Sequence, residues 1–152
     1  MKVEESIHID RPAEDVFPFL EVRANDAAWM AAVERSEWLD RTDTPGVGRR
    51  GRMVLRIGGR RHEFIDEVTA YEAGRRIAHR TVEGPLPLDT ACICETEGDG
   101  CRTAVVAVID RLSGGVLARL AGPVIAGVLR RGFRADLANL KRLLEADAHA
   151  PV

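Results

Sequence analysis

Aromatic side chains are scarce in this sequence, at 5% of its residues, fewer than a site built to stack flat polyaromatic rings would need. The expectation shifts accordingly towards aliphatic or partly reduced partners. Excess charge is missing as well. Against 24 acidic residues stand 22 basic ones, which leaves no long-range field to draw in nucleic acid or an anionic membrane. The 3 cysteines are few and odd in number for a disulfide framework. With no secretory apolar segment ahead of them, they lead us to expect the reducing cytoplasm. Apolar runs of only a few residues fall far short of a helical bilayer span, so stable membrane insertion is not expected. A phosphate loop, a nucleophile elbow and a His-Glu-x-x-His motif are all absent, and no cofactor is called for.

What is present is enough chain for one core. A domain of 152 residues buries roughly 70% of the surface its unfolded form exposes. We expect a single domain over residues 1–147 and a frayed tail over 148–152. The segment Lys2–Asp10 alternates Val3, Glu5, Ile7 and Ile9 against Glu4, Ser6, His8 and Asp10, the period of a strand. Two short helices follow. Asp10 is the expected N-cap of the first, with Pro12 in its first turn and Val16, Phe17 and Leu20 on one face; Pro18 keeps it short. Asn25 or Asp26 begins the second, which runs through Trp29 to Ala32.

Six further strands are expected at 34–41, 48–57, 60–71, 75–83, 86–97 and 101–112. Gly58-Gly59 is a two-residue hairpin signal, and Ala73-Gly74, Gly84-Pro85 and Gly98-Asp99-Gly100 punctuate the rest. Sequential hairpins make an antiparallel meander that curls. After Ser113-Gly114-Gly115 the pattern turns helical: a short helix over Val116–Ala121, then a long one from Pro123, which suits a first turn. At 100° per residue, Leu129, Leu137, Leu140 and Leu144 fall within about 40° of Phe133, with Ile125 and Leu143 at the edge of that face. Some 24 residues make a rod of about 36 Å, long enough to cross a curved sheet.

The element order and several packing motifs resemble the START-like, or SRPBCC, helix-grip superfamily, and most of all its bacterial polyketide cyclase/dehydrase branch. The residues that carry the likeness are Ile7-x-Ile9-x-x-Pro12-x-x-x-Val16-x-x-x-Leu20, Trp29 after Asn25, Gly46-Val47-Gly48, Val68-x-x-Tyr71 with Arg76-Ile77, and Leu137-x-x-Leu140-Lys141-x-x-Leu144-Glu145. The resemblance implies an α+β fold: a seven-stranded curved antiparallel sheet wrapped around a long C-terminal helix. It further implies a cavity between the concave sheet face and that helix, holding a hydrophobic small molecule of polyketide, lipid or isoprenoid type. Three functional classes stay open under it: an enzyme of cyclisation, dehydration or isomerisation, a non-catalytic lipid or quinone carrier or sensor, and a co-chaperone-like interaction module.

Alternation assigns Met53, Leu55, Ile57, Val68, Ile77, His79 and Thr81 to the concave face, and Leu129, Phe133, Leu137 and Leu140 to the facing helix. His79 is the titratable member among apolar neighbours, though such a histidine more often answers to one structural hydrogen bond. Asp136 falls inside the helix's apolar arc, where a carboxylate is costly unless it is paired or faces water. Opposite His79 it would complete an acid–base pair; an ion pair with a strand arginine is the plainer alternative. Arg130 and Thr81 would orient ligand oxygens, and Leu86, in the stiff Gly84-Pro85-Leu86-Pro87 loop, would border the mouth. Strict alternation puts His62, Phe64, Asp66 and Val68 on one face, so a charged group faces inward unless a bulge intervenes; the facing of His62 and Asp66 is left open. Cys92, Cys94 and Cys101 lack zinc-ligand spacing and read as small apolar residues, so no metal is expected. The cluster Arg49, Arg50, Arg52, Arg56, Arg60 and Arg61 lacks interleaved aromatics, and alternation turns Arg50, Arg52 and Arg56 to the solvated convex face, so it reads as a charged surface. Oligomeric state is not legible.

Overall fold

The structure, a computed structural model, describes the backbone of residues 1–41, 46–109 and 115–148, with side chains described except at 115–120 and 147–148. The seven strands are β1 (Lys2–Ile9), β2 (Val33–Trp38), β3 (Arg50–Ile57), β4 (Arg60–Glu72), β5 (Arg76–Glu83), β6 (Asp89–Glu97) and β7 (Gly100–Val108). They form one antiparallel sheet in the order β1-β7-β6-β5-β4-β3-β2. Each hairpin places its strand beside the last, and β1 returns to pair with β7. Gly58 and Gly59 both take positive φ, 59° and 79°, the conformation that a two-residue turn between twisted strands demands.

Helices α1 (Ala13–Glu21) and α2 (Asp26–Trp29), with a short 3-10 turn at Arg23–Asn25 between them, carry the chain from β1 to β2, the two outer strands of the sheet. The crossing puts Val16, Phe17, Leu20 and Trp29 into one core with Ile9, Val68, Ile77, Cys94, Cys101 and Val105. The expected cap is corrected here. Pro12, in extended conformation, occupies the N-cap of α1 without a side-chain bond, and the backbone N–H of Asp10, two residues earlier, donates to the Glu145 carboxylate at 3.0 Å.

A second correction concerns the C-terminal helix. Instead of breaking before Pro123, α3 runs unbroken over Gly115–Ala148. A proline inside a helix strands the carbonyl four residues earlier. Both interior prolines, Pro18 in α1 and Pro123 in α3, lie on exposed faces, where water can take that carbonyl. The expected strand end at 110–112, the turn at 113–114 and the tail at 149–152 lie outside the described residues.

Helix α3 is fastened at its C-terminal half. Leu137, Leu140 and Leu144 are buried, each contributing roughly 1.5–3 kcal/mol of apolar transfer. Polar bonds tie the same half to β1 and its exit: Arg11 Nη1 to Leu144 O at 2.7 Å, Lys141 Nζ to His8 O at 2.8 Å, and Arg134 Nε to Glu5 Oε1 at 3.1 Å. Upstream, among the described side chains, Val124 and Val128 are 66% and 63% exposed, and Ile125 and Leu129 only half-buried. On the convex face the arginine cluster meets carboxylates across the strands. Arg56 and Arg61 share Glu34, Arg52 lies between Glu37 and Glu63, and Arg50 reaches Glu67.

Candidate functional site

Register decides what the sheet turns inward. Ser36 and Trp38 of β2 oppose Met53 and Gly51 of β3; Gly51 and Leu55 oppose Asp66 and His62 of β4; Asp66 and Val68 oppose Thr81 and His79 of β5; and Ile77 opposes Cys92 of β6. All of these share the face of the buried Val68 and Ile77, which places His62 and Asp66 on the concave side. Alternation therefore holds from His62 to Val68, and a shift at Val68/Ala70 then keeps Tyr71, opposite Ile77, on the same face.

An inward carboxylate needs a partner, and Asp66 has one. Arg23, from the 3-10 turn and only 6% exposed, reaches it with both terminal nitrogens, at 2.6 and 2.7 Å. Its remaining nitrogen, Nε, donates to Ser36 Oγ at 2.9 Å, and Ser36 passes its own hydrogen to Asp26 Oδ2 at 2.7 Å. The direction of this chain is fixed, because a guanidinium only donates and a hydroxyl has one hydrogen. Arg23 lies directly over Gly51, where a Cβ would come within 2.0 Å of its Nη1. The glycine inside β3 is thus the floor on which the guanidinium rests. Trp38 packs beside it, 4.9 Å from Arg23 Cζ, and the Arg49 guanidinium covers the same ring at 4.0 Å while pairing with Asp40.

His79 sits next to this network, its ring 6.1 Å from that of Trp38. The Nε2 atom is buried and has no hydrogen-bond partner among the described residues. Burial is the main reason its pKa falls to about 4; the nearby Asp66 carboxylate opposes the fall and Arg23 adds to it. The imidazole is neutral at pH 7. Asp26 moves the other way, pushed up to about 6 chiefly by burial, with Ser36 and Arg23 resisting and Asp66 assisting. Its charge is felt as far as β6, where burial and then Asp26 raise the Cys92 thiol to about 12.

Asp136 does not join this cluster. It is half-buried, and its Oδ1 accepts the backbone N–H of Ala31 at 3.0 Å, just beyond α2. Burial raises its pKa and the Ala31 bond limits the rise. The pairing considered between Asp136 and His79 is not among the hydrogen bonds of the described residues, and neither is an ion pair from Asp136 to a strand arginine. The carboxylate instead ties α3 to the loop that precedes β2. Asp136→Ala is expected to cost about 1–2 kcal/mol in a urea titration, and Asp136→Asn, which keeps the acceptor, much less.

The other residues singled out above divide by depth. Val68, Ile77, Leu137 and Leu140 are core. Met53, Leu55, Thr81, Leu86, Leu129 and Phe133 are half-buried, Ile57 is half-exposed near the end of β3, and Arg130 is exposed. These apolar side chains of β3, of the β5–β6 loop and of α3 are thus not sealed into the core. Among the described residues no group of three or more histidines, cysteines and carboxylates could hold a metal ion. Cys94 and Cys101 lie 3.8 and 3.5 Å from Thr103 Oγ1, and burial drives the Cys94 thiol upward. No helix of the described residues is long and apolar enough to cross a membrane.

Comparison with known proteins adds lineage to this geometry. The model of a family described as polyketide cyclase/dehydrase and lipid transport matches residues 1–145. A search of curated proteins gives no match. Among solved structures, TTHA0849 from Thermus thermophilus superposes with a TM-score of 0.81 at 18% identity, covering 99% of this chain and 100% of that one. The Zhui aromatase/cyclase from a Streptomyces species follows at 0.80 and 21%, covering 99% and 96%. A START superfamily protein from Mycobacterium smegmatis gives 0.68 at 16%, covering 93% and 98%. At these identities the likeness to solved structures speaks for the fold.

Proposed function

The chain belongs to the polyketide cyclase/dehydrase and lipid transport family, and on that premise we propose that it binds a hydrophobic small molecule between the concave sheet face and α3. One observation carries the reading. Half-buried apolar side chains on the concave face of β3 (Met53, Leu55), in the β5–β6 loop (Leu86) and on α3 (Leu129, Phe133) accompany a buried imidazole nitrogen, His79 Nε2, on that concave face with no partner among the described residues. A buried polar atom left unpaired is costly, and a ligand oxygen or N–H that bonds Nε2 removes that cost on binding. The ligand class this fits is polyketide-, lipid- or isoprenoid-like.

A catalytic form of the same reading, cyclisation or dehydration of the bound molecule, is favoured by a separate observation. The Asp26 carboxyl, bonded by Ser36 Oγ at 2.7 Å, lies in the buried polar chain beside His79, and burial pushes its pKa up to about 6. Proton transfer at neutral pH is most efficient from a group whose pKa lies near the working pH, and Asp26 meets that condition better than the weakly basic His79. Solved relatives include an aromatase/cyclase, which accords with this form.

The test is titration with N-phenyl-1-naphthylamine, an uncharged probe that brightens in apolar surroundings. Saturable binding is expected, with quenching of Trp38. Leu55→Trp, which fills the space, should weaken it by about tenfold or more while leaving the urea midpoint nearly unchanged. Probe binding that ignores Leu55→Trp would remove the concave face as the site.

A further inference from the structure

The concave network is unbalanced in charge and in hydrogen-bond capacity. Two carboxylates, Asp26 and Asp66, share one guanidinium, and all three groups are buried. Arg23 gives three of its five N–H groups to this network, two to Asp66 and one to Ser36. Ser36 has spent its one hydrogen on Asp26 Oδ2, which leaves Asp26 Oδ1 without a donor among the described residues. His79 stays neutral, and Arg49, above Trp38, is paired with Asp40. Arg130, the cation expected to meet a ligand oxygen, is exposed. Trp29 Nε1 and the neutral imidazole can still donate, but the fixed charge of the described network is net negative, and its open carboxylate oxygen, Asp26 Oδ1, is an acceptor.

Resting on the ligand-binding reading above, we propose that the site takes a hydrophobic molecule whose buried end is a neutral hydrogen-bond donor, such as a hydroxyl, and rejects molecules that end in an anion. A hydroxyl can donate to Asp26 Oδ1 or to the imidazole and restores a bond to a group that lacks one. An anionic head would add a third negative charge to a buried cluster holding one cation, at close range and in low dielectric. An ammonium would suit the sign, but it carries a far larger desolvation cost than a hydroxyl. Specificity then comes from repulsion of the wrong head group as much as from attraction of the right one.

The groups that face Asp26 are Arg23 from the 3-10 turn, Ser36 from β2, Asp66 from β4 and Cys92 from β6; beyond α2, Asp136 of α3 is occupied with Ala31. Between pH 7.5 and 5 the Cys92 thiol stays protonated while Asp26 takes up a proton.

The experiment is competition against N-phenyl-1-naphthylamine by decan-1-ol and by decane-1-sulfonate, a matched pair in which the sulfonate stays ionised throughout that range. At pH 7.5 decanol should bind at least tenfold more tightly. On lowering the pH to 5 the sulfonate alone should gain, narrowing the ratio to a few-fold, and Asp26→Asn at pH 7.5 should narrow it to the same extent. The pH arm needs no variant, so the outcome stands even where Asp26→Asn folds poorly. Sulfonate affinity equal to or above that of decanol, or a ratio indifferent to pH, overturns the proposal while leaving ligand binding intact. Failure of both competitors against a bound probe overturns it too, and failure of the probe itself to bind takes the binding reading with it.

Discussion

Arg23→Met is expected to destabilise the protein by about 3–5 kcal/mol, read from urea denaturation at pH 7, because it strands one buried carboxylate and removes the donor to a buried hydroxyl. Asp66 would lose both of its short bonds and Ser36 Oγ its incoming hydrogen. The loss is not the worth of the ion pair, which has already been charged with the desolvation of both partners. Replacing the two together, Arg23→Met with Asp66→Leu, should therefore recover most of the stability, since an apolar pair of similar volume is often no worse than a buried ionic one. A single substitution costing less than about 1 kcal/mol would mean that the pair is hydrated in solution. A second readout travels with the first. Asp66 already acts to raise the pKa of His79 and Arg23 to lower it, so the imidazole of Arg23→Met should titrate at higher pH than in the parent.

The second large effect is hidden in the parent protein by cancellation. Folding raises the pKa of Asp26 from 3.8 to about 6, so the native state holds a proton that the unfolded chain has released. Stability from this group is full below about pH 4 and is lost as the pH rises to 6, a change of about 3 kcal/mol for a shift of that size. Folding lowers the pKa of His79 from 6.5 to about 4, so the unfolded chain binds a proton that the native state refuses. Its contribution is full above about pH 6.5 and is lost as the pH falls to 4, again by about 3 kcal/mol. The two slopes oppose each other over nearly one window. Asp26→Asn should uncover the histidine, giving a protein that loses stability relative to the parent on acidification from pH 6.5 to 4. His79→Gln should uncover the carboxyl and gain relative stability on the same descent. Urea midpoints at pH 4, 5, 6 and 7 test this as differences from the parent, so that surface carboxylates common to all three proteins drop out. Parallel curves would show that neither group is perturbed.

The frame of the fold was legible because it is written in local periods. Ile77, His79 and Thr81 alternate with Ala78 and Arg80, and Gly58-Gly59 marks its turn, with no knowledge needed of what lies across the sheet. The polar half of the site is a matter of distant pairing. Asp66 could be put on the inner face by counting, yet a charge there looked untenable because its partner, Arg23, is 43 residues away in a segment that reads as a connector. Asp26 looked like a helix cap, and in the fold its side chain caps nothing and bonds Ser36 instead. Gly51 interrupts a strand otherwise rich in large side chains, which is the mark of a close approach from the opposite side. Asp136 drew attention for a sound reason, since a carboxylate in an apolar arc must be satisfied, but the group that satisfies it is a backbone N–H, which no side-chain pattern reveals.

The uneven fastening of α3 makes the helix a cantilever. Its clamp is the stretch from Arg134 to Glu145, bolted to β1 by the Glu5, His8 and Arg11 bonds, and its overhang carries Val124 and Val128 into solvent. From Arg134, where the clamp ends, to Val124 the overhang measures about 15 Å, so a tilt of about 8° there carries the tip through about 2 Å. Leu129 and Phe133 lie along the overhang and near its root, and they ride with it. On the proposed binding reading, such a tilt would widen the space beneath α3 most at the end away from Leu140 and Leu144.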